Sequence, residues 1–507
     1  MMLFTEDASY YAEKIKEGKL SVKEVVTAAL ENMTALNPTL NAVVWRQDAD
    51  ALAKADEYDA LLATLTPQEK ADLPPFFGVP TLIKDLGQSQ AGQLAASGSI
   101  LLKDNLATVT DNFVQAVEKA GFIAVGRSNV PEFGFKGISD SKTFGAVNSP
   151  IDTNRNPGGS SGGAAAALKS GMVPLTYASD GGGSIRMPAS YSGLIGLKPS
   201  RGRMPVGPGQ YRSWQGAAVP FALTKSVRDT WTLLKALQVT QYEAPFPMPT
   251  IEEDQLVDLD RPLRIGYLTD LNDQLTISEV GQAVLDQVIE QLKALGHDVF
   301  EVADPVDRIQ VMKSYFKMNS VETTVMMEGI AQALGRELTD ADMEPLTWAI
   351  YRSGYKISAV ELSQMIGDWD RWAAIYEAGF KHYDLLLTPT TNGPAPKHGI
   401  FEADETILAA EKDIDQLSQE DQQQLIWDHF GQSIPYSPYV SIVNLIGQPA
   451  ISLPMFKNEE GLPIGAQFIA NKGNEYLLLQ LAKQIEAADL LDTDIVNLVG
   501  NLPQFRK

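Results

Sequence analysis

Cysteine is absent from all 507 residues. That excludes disulfides, thiolate zinc sites and cysteine nucleophiles. Histidine is nearly as scarce: His297, His382, His398 and His429 are the complete set. His297 follows Gly296 at a predicted helix end, His382 adjoins the predicted strand 383–387, and the other two lie in polar stretches. None sits in a motif, so a Ser-His-Asp mechanism is poorly served. Basic residues are few, 41 Lys and Arg against 64 Asp and Glu, for a net charge of −23. A chain that displaces counterions from nucleic acid or anionic lipid needs a cationic surface, so neither is expected as a partner. No stretch approaches the ~18 consecutive apolar residues of a membrane span. The amino terminus MMLFTED lacks the basic segment of a secretory signal. The expectation is a cytoplasmic protein whose 44% hydrophobic content can bury a large core.

What the chain does have is glycine, concentrated in two turns that each carry serine. The first is Gly158-Gly159-Ser160-Ser161-Gly162-Gly163, and the second is Gly181-Gly182-Gly183-Ser184. The apolar runs 164–168 and 172–178 between them leave room for a short helix and a returning strand. Glycine lets backbone N–H groups approach a ligand closely. Serines held in such turns suggest a nucleophile, a proton relay and an oxyanion hole. A flexible linker would be polar throughout, whereas this segment alternates with apolar runs. No Gly-Lys-Ser/Thr follows either turn, which argues against a phosphate-binding loop. Residues 158–162 match G-x-S-x-G, but a nucleophile elbow needs a strand before it, and 152–157 reads as loop.

From here the resemblance is specific. Gly158–Ala164 and Asp180-Gly181-Gly182-Gly183-Ser184-Ile185-Arg186-Met187-Pro188-Ala189 resemble the two signature blocks of the amidase signature family. Upstream, Gly78-Val79-Pro80-Thr81-Leu82-Ile83-Lys84-Asp85 resembles the block that carries that family's catalytic lysine. Further similar blocks stand at 126–133, 193–200, 384–390, 444–449 and 461–465, so the resemblance runs from about Glu24 to Ala487. It implies a Ser-Ser-Lys amide hydrolase with Ser184 as nucleophile, Ser160 as relay in a cis peptide, and Lys84 as base, without metal or cofactor. Gly181 departs from the family's usual threonine. An extra glycine keeps its N–H but removes a side chain that could fix the loop. With Gly202-Arg203-Met204-Pro205 soon after, this variant is most similar to the cyclic-amide branch that includes 6-aminohexanoate cyclic-dimer hydrolases.

The residues support the same roles. Lys84 ends the apolar run 79–83, where burial would lower its pKa from ~10.4; a lysine snorkelling from a strand end is the plain alternative. Gly181, Gly182 and Gly183 offer successive N–H groups for an oxyanion hole. Asp180 and Arg186 flank the nucleophile turn and could pair beneath it; with Ser161 they read as support. Asp85 reads either as support or as a solvated strand-end carboxylate.

Residues 1–70 read as helical, opened by the capping box Ser21-Val22-Lys23-Glu24. Thereafter helix and strand alternate: 113–120 then 122–125, and 263–268, 280–295 then 299–302. This predicts an α/β fold with a single large mixed, mostly parallel β-sheet covered by helices, over one domain of residues 1–507. Residues 402–430 read as a surface helical excursion. The expected substrate is a small-molecule amide, linear or cyclic and uncharged; the other reading is the amidase-type subunit of a glutamine-dependent tRNA transamidation complex. Tyr315, Phe316, Met318, Met326 and Met327 read either as helical core or as an acyl pocket, with Asn319, Tyr211 and Trp214 as further candidates for substrate contact. Oligomeric state is open, with a homodimer among the options.

Overall fold

A computed structural model describes residues 2–498 apart from 270 and 272–274. Its strands are β1 (Val43–Arg46), β2 (Pro80–Lys84), β3 (Ile123–Ser128), β4 (Asp140–Ser141), β5 (Gly145–Ala146), β6 (Thr176–Asp180), β7 (Ile195–Lys198), β8 (Val219–Thr224), β9 (Arg264–Tyr267), β10 (Asp298–Glu301), β11 (Leu385–Pro389), β12 (Ala450–Lys457) and β13 (Pro463–Ala470). Eleven of them form one sheet in the order β1-β3-β2-β6-β8-β7-β12-β13-β11-β9-β10, and β4 with β5 makes a small hairpin. The expected large mixed α/β sheet is present. Its proportions differ from expectation, because four of its ten neighbouring pairs are parallel and six antiparallel. Parallel pairing follows the strand–helix–strand units, which supply crossovers long enough for it. The centre of the sheet instead runs antiparallel, and β12 returns directly into β13 through residues 458–462.

Local chemistry explains the elements that flank the site. Ser21 caps helix Val22–Leu40: its hydroxyl accepts from the Glu24 N–H while the Glu24 carboxylate accepts from the Ser21 N–H at 2.7 Å. Helix Asn112–Lys119 buries Phe113, Val114 and Val117, then turns at Gly121 (φ +100°) into β3. Helices dominate the first 70 residues, yet Val43–Arg46 adds an edge strand antiparallel to β3. In 402–430, helices Glu405–Lys412 and Gln419–His429 do not simply lie on the surface, since they pack on helix Pro345–Ser353 and bury Ile414 and Ile426 completely. Among the described residues no helix is long and apolar enough to cross a membrane.

The two glycine turns bracket helix Gly162–Lys169 and strand β6, as their spacing predicts. β6 pairs in parallel with β2. Parallel neighbours deliver their carboxyl ends to the same edge of a sheet, which is where α/β folds build sites. Lys84 at the end of β2 therefore meets Ser179 and Asp180 at the end of β6. The helix start is pressed on the sheet: a Cβ on Gly163 would fall 2.4 Å from the Asn129 backbone nitrogen and 2.5 Å from the Ala42 carbonyl oxygen. Both obstacles are backbone, so Gly163→Ala should lower unfolding free energy by ~1–3 kcal/mol in chemical denaturation. A wild-type midpoint would mean that the helix shifts freely.

Candidate active site

Lys84 has no solvent exposure. Its Nζ lies 2.8 Å from Ser160 Oγ, 3.0 Å from Ser179 Oγ and 3.2 Å from the Ser179 carbonyl oxygen. Burial lowers its pKa to about 7, against a smaller upward pull from Asp180. The strand end is anchored as well, since the Lys84 N–H donates to Gln88 and the Gln88 amide donates to the Ala178 carbonyl.

Ser160 follows a cis peptide from Gly159. Its turn is held by two residues that sequence reasoning did not single out. Asn156 Oδ1 accepts from the N–H groups of Ser139 and Gly158, and Ser139 Oγ donates to the Gly158 carbonyl while accepting from the Gly162 N–H. Ser161 is fully buried and, among the described residues, its hydroxyl reaches only the Ser179 carbonyl, at 3.5 Å. Ser179 was likewise not anticipated; it follows Ala178 in an ordinary strand, and nothing in its local sequence marks it.

Asp180 and Arg186 do pair beneath the second turn. Arg186 Nε and one terminal nitrogen each lie 2.9 Å from the Asp180 carboxylate, and both side chains are wholly buried. The same carboxylate accepts from the N–H groups of Gly183 (2.6 Å) and Ile185 (3.1 Å) and from Asn444 Nδ2. Burial alone would raise its pKa, but the charge and hydrogen bonds of Arg186, with Lys198 and Asn444, hold it below the ordinary carboxylate range. Arg186 is completed by Gln467 and Asn444, each at 2.6 Å. This corrects the expected oxyanion hole at one position: the Gly183 N–H is taken by Asp180. Among the described residues, the N–H groups of Gly181, Gly182 and Ser184 donate to no protein acceptor. Asp85 is buried rather than solvated, and accepts from the Ala96 and Gly98 N–H groups. It thereby fixes the turn that carries Ser97 to the cavity wall.

Ser160, Ser179, Gly181 and half-buried Ser184 line one cavity of about 280 Å³. A smaller cavity of about 80 Å³, with Met187, Phe316 and Phe430 in its wall, meets the first at Ser184. The apolar cluster predicted around 315–327 splits between wall and core along helix Arg308–Leu334. Tyr315 and Met326 line the larger cavity, whereas Met318 and Met327 are fully buried in core. Asn319 and Trp214 also face the larger cavity, while Tyr211 lines a separate small hollow. None of the four histidines lines either cavity. His297 accepts from the Leu263 N–H, and half-buried His429 lies beside Glu411.

A profile described as Amidase matches residues 24–479, most of the chain. The chain belongs to the amidase family. This amidase is 36% identical over 94% of its length to a lipoamidase of Enterococcus faecalis, and it spans 62% of that relative. It is 31% identical to a 6-aminohexanoate-cyclic-dimer hydrolase of Paenarthrobacter ureafaciens, over 95% of this chain and 94% of the relative. A solved structure of 6-aminohexanoate cyclic dimer hydrolase superposes with a TM-score of 0.86 at 29% identity, covering 97% of this chain and 98% of the other.

Removing the cation that holds Asp180 should be costly, because a buried carboxylate would be left without its partner. Arg186→Gln should lower unfolding free energy by ~3–5 kcal/mol in denaturant titrations. A loss within ordinary surface-mutation range would mean that Asn444 and the backbone donors suffice.

Proposed function

We propose that this amidase cleaves an uncharged carboxylic amide through an acyl-enzyme on Ser184, with Ser160 as proton relay and Lys84 as base. The observation that carries the reading is a fully buried lysine whose Nζ stands 2.8 Å from Ser160 Oγ, on the wall shared with Ser184. A neutral amine has two N–H donors and one lone pair. The Ser179 carbonyl and hydroxyl oxygens can accept the two N–H groups, which leaves the lone pair for the Ser160 hydroxyl proton. As Ser184 Oγ attacks the amide carbon, its proton passes to Ser160 while the Ser160 proton passes to Lys84. The unsatisfied N–H groups of Gly181, Gly182 and Ser184 supply donors for the developing oxyanion. Reversing the relay protonates the leaving nitrogen as its bond to carbon breaks. Water repeats the cycle on the acyl-enzyme and releases a carboxylate.

Substrate class follows from the wall. Among the described residues the larger cavity carries Phe133, Phe135, Trp214 and Met326 but no lysine or arginine, and Lys136 in the wall of the smaller one is already paired with Asp140 and Glu344. A substrate carboxylate would find no counter-ion there, and the net charge of −23 disfavours anions further. Aliphatic or cyclic uncharged amides fit better than glutamine, in keeping with relatives named as a lipoamidase and a cyclic-dimer hydrolase. The same acidic charge disfavours nucleic acid and anionic membranes as partners.

Lys84 sets the pH profile. Protonated, it has no lone pair to offer, so kcat/KM should rise from acid pH and level off above about 7. Lys84→Ala should slow acylation roughly 10²–10⁴-fold while the protein stays folded. Peptide mapping after labelling with a serine-reactive phosphonate should place the adduct on Ser184; an adduct on Ser160 would reverse the assignment.

The two neighbouring methionines separate pocket from core. Met326→Glu should reduce kcat/KM for long acyl chains more than for acetamide, with little change in Tm. Met327→Ala should cost ~2–5 kcal/mol of stability as a buried cavity is created. Equal behaviour of the two variants, or efficient glutaminase activity in the parent, would reject this substrate reading.

A further inference from the structure

Tyr315 stands where the two cavities meet. It lines both, as do Ser184, Gly134 and Phe135, so an amide carbonyl brought to Ser184 at that junction faces this phenol. Its hydroxyl also reaches the nucleophile turn. A Cβ placed on Gly182 would lie 2.5 Å from Tyr315 Oη, and glycine leaves that space to the hydroxyl.

The direction in which Tyr315 donates can be read from its neighbours. An indole N–H only donates. Trp214 Nε1 donates to Asn319 Oδ1, which turns the Asn319 NH₂ group towards its other partner, Tyr315. The NH₂ group is a donor, so Tyr315 Oη accepts from it, and the tyrosine's own proton is released towards the cavity. Burial pushes the Tyr315 pKa up to about 12 despite the Asn319 hydrogen bond, which keeps that proton in place at neutral pH.

We propose that Tyr315 is a catalytic residue of this amidase, its O–H donating to the substrate carbonyl oxygen alongside the free N–H groups of the Gly181–Ser184 turn. Asn319 and Trp214 are positioning residues that aim this donor. As Ser184 Oγ bonds to carbon, the carbonyl π pair moves onto oxygen; Tyr315 stabilises that charge through its hydrogen bond and keeps its proton. The inference rests on Ser184 as nucleophile, and it adds a side-chain donor to a turn in which one of three expected glycine donors is occupied by Asp180.

Tyr315→Phe tests it, with an anilide and a p-nitrophenyl ester of one acyl chain as paired substrates. The expected result is a fall in kcat of ~10²-fold or more on both, with KM and Tm little changed. Affinity for a boronic acid analogue of the tetrahedral state should fall by a similar factor. A fall confined to the anilide would assign the proton to the leaving nitrogen and overturn the proposal, as would unchanged kcat. Trp214→Phe keeps a ring but removes the N–H that orients Asn319. It should give a smaller kcat loss of the same pattern on both substrates, and it carries the test if Tyr315→Phe does not fold. Phosphonate labelling of the parent separates the premises: an adduct on Ser160 overturns the nucleophile assignment and this inference with it, whereas an adduct on Ser184 with unchanged Tyr315→Phe kinetics overturns the inference alone.

Discussion

One carboxylate, Asp180, organises the ground under the turn that carries Ser184. It is out of solvent, and it survives ionised because a buried guanidinium, an asparagine amide and the backbone N–H groups of the following turn all point at it. A carboxylate in this setting is costly unless every lone pair is met. That requirement dictates the path of the chain from β6 into helix Arg186–Ser192. With Gly183 and Ile185 turned inwards to Asp180, the N–H groups of Gly181, Gly182 and Ser184 are left, among the described residues, without a protein acceptor. The glycine at 181, which lacks a side chain to hold the turn, is compensated from below by this ion pair. Asn444 and Gln467 reach the pair from the far side of the sheet sequence, so remote segments are tied to the geometry of a single turn.

Burial does a second task at Lys84. The apolar strand that hides the ammonium also weakens its hold on the proton, and the oxygens of Ser179 receive the N–H groups a neutral amine retains. The proton affinity of the Lys84 amine and its orientation are therefore set by different agents, desolvation for one and strand β6 for the other. Both depend on β2 and β6 running in parallel, because only then do Lys84 and Ser179 emerge at the same edge.

The helix Arg308–Leu334 shows how one element can serve core and cavity together. Its sequence mixes methionine and aromatics around the helix. Met318 and Met327 turn into the core, while Tyr315, Asn319 and Met326 turn to the cavity. Composition cannot separate these groups, since a flexible apolar side chain suits either environment.

Local signals carried far in this chain. The capping box at Ser21, the helix ending at Gly121 and the helix between the two glycine turns depend on neighbours within a few residues, and each stands where the pattern predicts. The roles suggested for Lys84, Ser160 and Ser184 rest on motifs in which glycine and serine occupy fixed backbone positions, and the fold brings Ser160 and Ser184 to one cavity with Lys84 buried behind Ser160. Other features depend on distant partners and had no local mark. The antiparallel centre of the sheet comes from pairings such as β7 with β12, more than 250 residues apart in sequence. Ser179 joins Lys84 only because two strands pair, and the Gly183 N–H is lost to Asp180 only because the turn closes on a buried charge. By itself the sequence determined residue chemistry, local turns and the elements; tertiary packing decided which donors stay free, because that depends on which charges burial leaves in need of partners.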